Sequence, residues 1–192
     1  CFVGKVDLPV FLQQKLKSQQ GSIVEITAEY YNSIKNSDES DLDSLSKPFV
    51  YNKRIGKKVG EHQGAQFYTI GQRKGLNVGG KAEPLFVIAT DIDENIVYVG
   101  MGQNHPGLFR KALFINSNEV HWVRPDLKLS IGQHIELMVR IRYRQPLQKA
   151  TLYSKDEGIY IVFNEPQRGI TAGQFASWYD GEELIGSGVI AE

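Results

Sequence analysis

The sequence has one cysteine in 192 residues, at position 1, so no disulfide can form within it. That scarcity makes a reducing compartment the simpler expectation, and cytoplasmic localisation follows from it. No apolar run approaches the roughly 18 residues that a membrane-spanning helix needs, so no membrane partner is expected. Net charge is missing too, because 22 Lys and Arg balance 22 Asp and Glu. A chain without net charge is not drawn to a polyanion by its overall field, so any nucleic-acid contact has to come from local patches. The histidines, His62, His105, His121 and His134, lie far apart. Neither among themselves nor with Cys1 do they have the spacing of metal ligands, and no metal site is expected. A Walker-type phosphate loop and an acyl-transfer nucleophile elbow are both lacking. Acid is absent from two stretches in particular, between Glu61 and Glu83 and from Leu137 to Ser154.

What is present fits a folded protein. The chain is 41% hydrophobic with a mean hydropathy of −0.31, and its length suits one large domain or two small ones. Residues 6–17 have helical spacing in Leu8, Phe11, Leu12 and Leu16, with Asp7 and Pro9 as a helix start. Residues 22–27 and 65–70 read as short strands. Residues 85–90 and 96–99, joined by a turn-like Asp-Ile-Asp-Glu-Asn, read as a hairpin. Residues 28–58 are richer in charge and serine and read as a polar, solvated insertion with a weak strand near 49–51. Gly100, Gly102, Asn104, Pro106 and Gly107 cluster, which places a domain boundary near residues 105–111. Beyond it, short strands are expected at 112–115, 119–123, 134–143, 149–154, 159–163, 175–179 and 184–190. That spacing suggests a small barrel or sandwich. The fold expected is mainly β, of the α+β kind, with a central domain at 1–107 and a C-terminal β-barrel at 111–192.

The acid-free stretches carry the candidate sites. Six glycines fall between Gly60 and Gly80, and Arg73 and Lys74 stand together between Gly71 and Gly75. A rigid, glycine-flanked cation pair suits a phosphate contact. On chemistry alone, a tight turn with two solvated cations explains it better. In the second stretch, a side-chain period of two would put Arg140, Arg142 and Arg144 on one strand face, with Val139, Ile141 and Tyr143 on the other. Three arginines in a row repel one another unless an anion lies across them, and a phosphate backbone is the obvious one. Tyr143 could then stack on a base. An ordinary charged strand face, with Asp156 or Glu157 as partners, explains the pattern equally well. Gln174, in a turn-rich loop, is a further candidate phosphate or base contact, although capping of the turn is the better local explanation. Cys1 is the one residue whose intrinsic nucleophilicity far exceeds that of hydroxyls at neutral pH.

These runs occur together in one family. Cys1-Phe2-Val3-Gly4, Gly60-Glu61-His62-Gln63-Gly64 and Tyr68-Thr69-Ile70-Gly71-Gln72-Arg73-Lys74-Gly75-Leu76 come first. His105-Pro106, His121-Trp122-Val123, Arg142-Tyr143-Arg144-Gln145, Asn164-Glu165-Pro166 and Thr171-Ala172-Gly173-Gln174 follow. In that order they resemble the bacterial tRNA-specific 2-thiouridylases over nearly all of the chain except residues 28–58. The resemblance is to the second half of that family, a central domain plus a six-stranded antiparallel barrel similar to those of translation factors. The family's first domain, an ATP-binding domain of the pyrophosphatase-loop type with a Ser-Gly-Gly-Val-Asp-Ser loop and another catalytic cysteine, has no match here.

The resemblance implies ATP-dependent sulfur transfer to the wobble uridine, position 34, of tRNAs for Lys, Glu and Gln. ATP would be bound by the missing domain, which would adenylate the C2 oxygen. Cys1 matches the cysteine that accepts a persulfide from a sulfur-relay protein or a cysteine desulfurase. Its terminal sulfur would attack C2 directly or be released as sulfide by the other cysteine, with AMP leaving. The family's tRNA contacts carry over to Arg142, Tyr143 and Gln174. Arg140, Arg144, Arg73 and Lys74 are added from their charge and setting. Two departures stand out. Alanine at 172 replaces the family's usual proline, which should only loosen that turn, and residues 28–58 lack an evident counterpart. Without the first domain, this polypeptide is expected to bind tRNA weakly and to catalyse nothing. Two other readings compete: a non-catalytic RNA-binding barrel, and an exported lipoprotein domain with Cys1 acylated.

Overall fold

A computed structural model describes residues 18–32, 34 and 41–191. Cys1 and the helix expected at 6–17 lie outside the described residues. The chain divides into two compact units, one formed by residues 1–33 and 50–108, the other by 34–49 and 109–192.

The first unit is built on a four-stranded sheet. β1 (Gly21–Glu25) pairs antiparallel with β2 (Lys57–His62) and parallel with β4 (Ile96–Met101), which in turn pairs antiparallel with β3 (Leu85–Asp91). β3 and β4 form the expected hairpin. Its turn is closed by Asp91, whose carboxylate accepts the Glu94 N–H at 2.8 Å, and by Asn95 in the left-handed region at φ 52°. Asparagine tolerates that region because its short polar side chain bonds locally. Here the Asn95 amide reaches the carbonyls of Gln19 and Gln20, both at 3.1 Å. Ile23, Val87, Val97 and Val99, all fully buried, form the core with Ala65, Leu76 and Leu85.

Three sequence expectations fail in this unit. β2 was not anticipated, because Lys57, Lys58 and Glu61 are solvated on an edge strand and leave little alternation to read. The strand expected at 65–70 starts instead with a 3-10 turn, Ala65–Phe67, after Gly64 at φ 139°. His62 Nδ1 accepts the Gly64 N–H and Asn95 accepts that of Ala65, so these amides are satisfied away from any strand ladder. Residues 28–58 are also more than a solvated excursion. Tyr31 and Tyr51 are buried with their hydroxyls 2.5 Å apart, and burial pushes Tyr31 up to about 12. No strand forms at 49–51.

The second unit is a curled antiparallel sheet of seven strands, as many as the sequence pattern marks and one more than the six-stranded barrel that the resemblance implies. It contains β5 (Phe109–Asn116), β6 (Val120–Trp122), β7 (His134–Arg140), β8 (Gln148–Ser154), β9 (Gly158–Arg168), β10 (Phe175–Asp180) and β11 (Glu183–Val189). The spatial order is β5-β9-β8-β7-β10-β11-β6. The shortest is the three-residue β6, expected at 119–123, paired to β11 through Trp122 and Gly186. Just past β11, the Ala191 N–H donates to the Phe114 carbonyl on β5 at 2.9 Å, drawing the far end of the sheet back on itself. Trp178, fully buried, sits at the centre with Leu113, Ile115, Leu152, Ile161, Phe163 and Ile185. A Cβ on Gly186 would lie 2.6 Å from the Trp178 ring, so the indole occupies the space that a side chain there would need.

A short helix, α1 (Leu42–Ser46), packs on β5 and β9. The Asp41 carboxylate caps it by accepting from the Asp43 and Ser44 amides, at 3.1 and 3.3 Å. At its other end the Arg110 guanidinium donates to the Ser46 carbonyl. Burial of that guanidinium pulls its pKa down to about 10.

A cationic, aromatic groove as the candidate site

The candidate residues on the barrel come together, although not by the geometry first expected. β7 stops at Arg140, and residues 141–145 form a turn closed by the Gln145 N–H on the Arg142 carbonyl at 3.1 Å. Arg140, Arg142 and Arg144 therefore do not share a strand face. Ile141, 2% exposed, pins the start of the turn into the core. Gln145 fixes the rest: its Oε1 accepts the Ile141 N–H at 3.3 Å and its Nε2 donates to the buried Gln167 at 2.6 Å. Pro146 follows and disfavours helical backbone at Gln145, which keeps the turn short. Gln145 belonged to a recognised run but had no assigned role in the sequence. It holds the tip on which Arg142, Tyr143 and Arg144 stand exposed.

Arg140, Ile141, Arg142, Tyr143, Gln174, Phe175, Ser177 and Tyr179 line one groove of about 440 Å³. Its floor is the outward face of β10. Ala176 and Trp178 point to the core, leaving Phe175, Ser177 and Tyr179 on the opposite face by strict alternation. β10 pairs with β7 so that Ser177 lies opposite Arg140. The Arg140 guanidinium sits over the Tyr179 ring, 4.6 Å from its centroid, and donates to the Tyr179 hydroxyl at 3.2 Å. Arg142 donates to the Gly169 carbonyl at 3.0 Å. These contacts orient both cations while leaving them their charge. Among the described residues no carboxylate forms an ion pair with Arg140, Arg142 or Arg144. Glu157, once a candidate partner, accepts instead from the Tyr160 hydroxyl at 3.0 Å.

The loop carrying Gln174 is tied to the end of the barrel. The Gly173 N–H donates to the Ile190 carbonyl at 2.9 Å, and the Ile190 N–H donates to the Gln174 carbonyl at 2.8 Å. Gly173 at φ 78° supplies the left-handed step. The Gln174 side-chain oxygen is buried without a hydrogen-bond partner. A buried acceptor left unpaired costs free energy.

Arg73 and Lys74 belong to the first unit. Their loop is stapled to β3 by the Gly71 N–H on the Val87 carbonyl at 2.7 Å and the Val87 N–H on the Gln72 carbonyl at 2.9 Å. Gln72 Nε2 also holds the Lys74 carbonyl at 2.8 Å, and the Tyr68 hydroxyl holds that of Gly75 at 3.1 Å. Gly71 and Gly75 adopt φ 85° and 86°. Both cations are exposed, and neither forms an ion pair with a described residue. Phe175 and Tyr179 escaped the sequence reading. The alternation Phe175-Ala176-Ser177-Trp178-Tyr179 could have revealed them, once tryptophan was assigned to the core.

Among the described residues no group of three or more His, Cys, Asp or Glu could hold a metal ion. No helix among them is long and apolar enough to cross a membrane.

Two protein families match the chain: an aminomethyltransferase β-barrel domain over residues 113–190, and a tRNA methyl transferase PRC-barrel domain over residues 45–101. Among curated proteins, the chain is similar to the tRNA-specific 2-thiouridylase MnmA of Flavobacterium johnsoniae, 56% identical over all of this chain and 50% of the relative. Proteins of the same name from Karelsulcia muelleri and Pseudomonas fluorescens are 46% and 38% identical, over 100% and 99% of this chain and 48% and 43% of the relative. The chain spans about half the length of the curated relatives it matches.

Proposed function

The chain belongs to the tRNA-specific 2-thiouridylase family and corresponds to the C-terminal part of its members, and from that premise we propose that the full-length protein carrying it thiolates carbon 2 of a tRNA uridine. The observation that carries the reading is the groove, in which Arg140, Arg142, Tyr143 and Gln174 converge with no carboxylate to neutralise the cations. Oriented guanidiniums beside exposed aromatic faces suit an anionic backbone bearing unpaired bases. Arg144 on the same turn, and Arg73 and Lys74 on the glycine loop, are proposed as further phosphate contacts.

In this reading the substrate is the wobble uridine, position 34, of tRNAs for Lys, Glu and Gln, and the protein works in the cytoplasm. ATP, held by a separate pyrophosphatase-loop domain, activates the C2 oxygen as its adenylate. Cys1 receives a persulfide from a sulfur-relay protein or a cysteine desulfurase. The terminal sulfur forms the new bond to C2 as the C2–O bond to AMP breaks. The thiolate of the family's other cysteine then cleaves the remaining S–S bond, leaving a disulfide with Cys1 that an external thiol reductant must reopen. Release of the terminal sulfur as sulfide before attack is the variant of the same scheme. A persulfide serves because it combines a strong nucleophile with a thiol leaving group. The 192-residue chain alone is proposed to hold tRNA weakly and to transfer no sulfur.

The test is tRNA 2-thiolation by the full-length protein, with ATP and a persulfide source, comparing wild type with Cys1→Ser. Loss of persulfide-dependent activity in the variant is the expected result. A variant as active as wild type would make Cys1 structural and leave this chain as an RNA-holding barrel.

A further inference from the structure

One groove side chain is explained neither by the core nor by any recognised run. Phe175 opens β10 and is 61% exposed, although the strand it belongs to is otherwise well packed. A lone exposed apolar residue is ordinary. This one is not alone, because Tyr143, 87% exposed, lines the same groove. The guanidiniums of Arg140 and Arg142 line it as well, and the unpartnered Gln174 oxygen lies beside Phe175 in the chain.

We propose that Phe175 is a base-stacking residue, which together with Tyr143 makes the groove a platform for unpaired nucleobases of the bound RNA. Arg140 and Arg142 meet the flanking phosphates. The proposal rests on the RNA-binding reading above and deepens it, by assigning the groove to single-stranded rather than duplex RNA. A duplex hides its base faces and presents phosphates, so it would use the cations and leave the rings in water. An acidic peptide would also satisfy the cations, yet it has no flat π-face to cover two rings. Stacking on aromatic side chains accepts any base, which suits a surface holding a loop around a reacting nucleotide.

The experiment uses the full-length protein carrying this chain, as wild type, Phe175→Ala and Phe175→Tyr. Binding is measured to a single-stranded RNA of about eight nucleotides, to a duplex of the same sequence and to polyglutamate, across a range of salt. Phe175→Ala should bind the single strand roughly 5- to 100-fold more weakly, the range for losing one stacked base. The salt slope should stay unchanged, because no phosphate contact is lost. Phe175→Tyr should restore affinity, and duplex binding should be unaffected by either change. A melting temperature unchanged by Phe175→Ala is expected of so exposed a residue and separates binding from folding. Wild-type binding of the single strand that Phe175→Ala leaves intact overturns the stacking role while the RNA reading stands. Preference of wild type for polyglutamate overturns the nucleic-acid assignment of the groove. Failure of wild type to bind any RNA overturns both readings.

Discussion

The groove on the second unit and the glycine loop on the first both display cations without acidic partners, yet they are built differently. In the groove, Arg140 and Arg142 are oriented by side-chain contacts to Tyr179 and Gly169 and stand among exposed aromatic rings. In the loop that carries Arg73 and Lys74 it is the backbone that is fixed, by bonds to Val87 and by glycines at positive φ. One surface has the means to recognise chemistry. The other offers charge at a fixed position. The difference teaches that unpaired cations alone do not define a site's selectivity; what stands between them does.

That contrast can be broken or sharpened by measurement. The largest effect should come from the groove: Arg142→Ala combined with Tyr143→Ala should lower tRNA affinity on the order of 100-fold, through loss of one phosphate contact and one stacked base. A loss no larger than that of the loop variant would erase the distinction between the two surfaces. Arg73→Gln with Lys74→Gln should weaken binding more modestly, by roughly 10-fold, and almost uniformly among RNA sequences. Its signature is the salt dependence, whose slope should fall by about 1.4 to 1.8 for two lost phosphate contacts. An unchanged slope would remove the loop from the RNA surface.

The smallest effect concerns stability and separates the two units. The first unit buries two histidines, His62 and His105, and burial lowers the pKa of each. His105 is held neutral by donating from Nε2 to the Ile26 carbonyl at 3.0 Å while Nδ1 accepts the Gly107 N–H at 3.3 Å. His62 Nδ1 likewise accepts from Gly64 at 2.9 Å. Unfolding restores an ordinary pKa near 6.5, so below that pH the unfolded chain binds more protons than the folded one. The stabilising contribution is complete above pH about 6.5 and is lost as pH falls through the lowered folded values. The first unit should therefore lose stability on acidification through these two histidines. Hydrogen exchange followed from pH 7.5 to 5.5, unit by unit, checks this; equal losses in both units would assign the acid sensitivity elsewhere.

Much of the barrel was legible because its strands alternate. Ala176 and Trp178 against Phe175, Ser177 and Tyr179 is a period-two pattern with one buried face, and β8 behaves likewise. β2 was illegible because Lys57, Lys58 and Glu61 on an edge strand look like a loop. The buried pairing of Tyr31 and Tyr51 was illegible because they lie twenty positions apart, across a stretch rich in charge and serine. At the site, residue types and runs identified Arg142, Tyr143 and Gln174. The strand-face argument for three arginines failed because Gln145 captures the Ile141 amide and turns the chain one residue after Arg140.

The sequence by itself determined the mainly β character and the cationic candidates, since these rest on residue type and local periodicity, and its ordered runs carry the resemblance to the 2-thiouridylases. Only the tertiary structure decided that residues from β7, its following turn and β10 share one groove, that Phe175 and Tyr179 belong to it, and that the short helix at 42–46 packs on the barrel. Those outcomes depend on strand register and on side-chain hydrogen bonds between segments tens of residues apart, which no local pattern encodes.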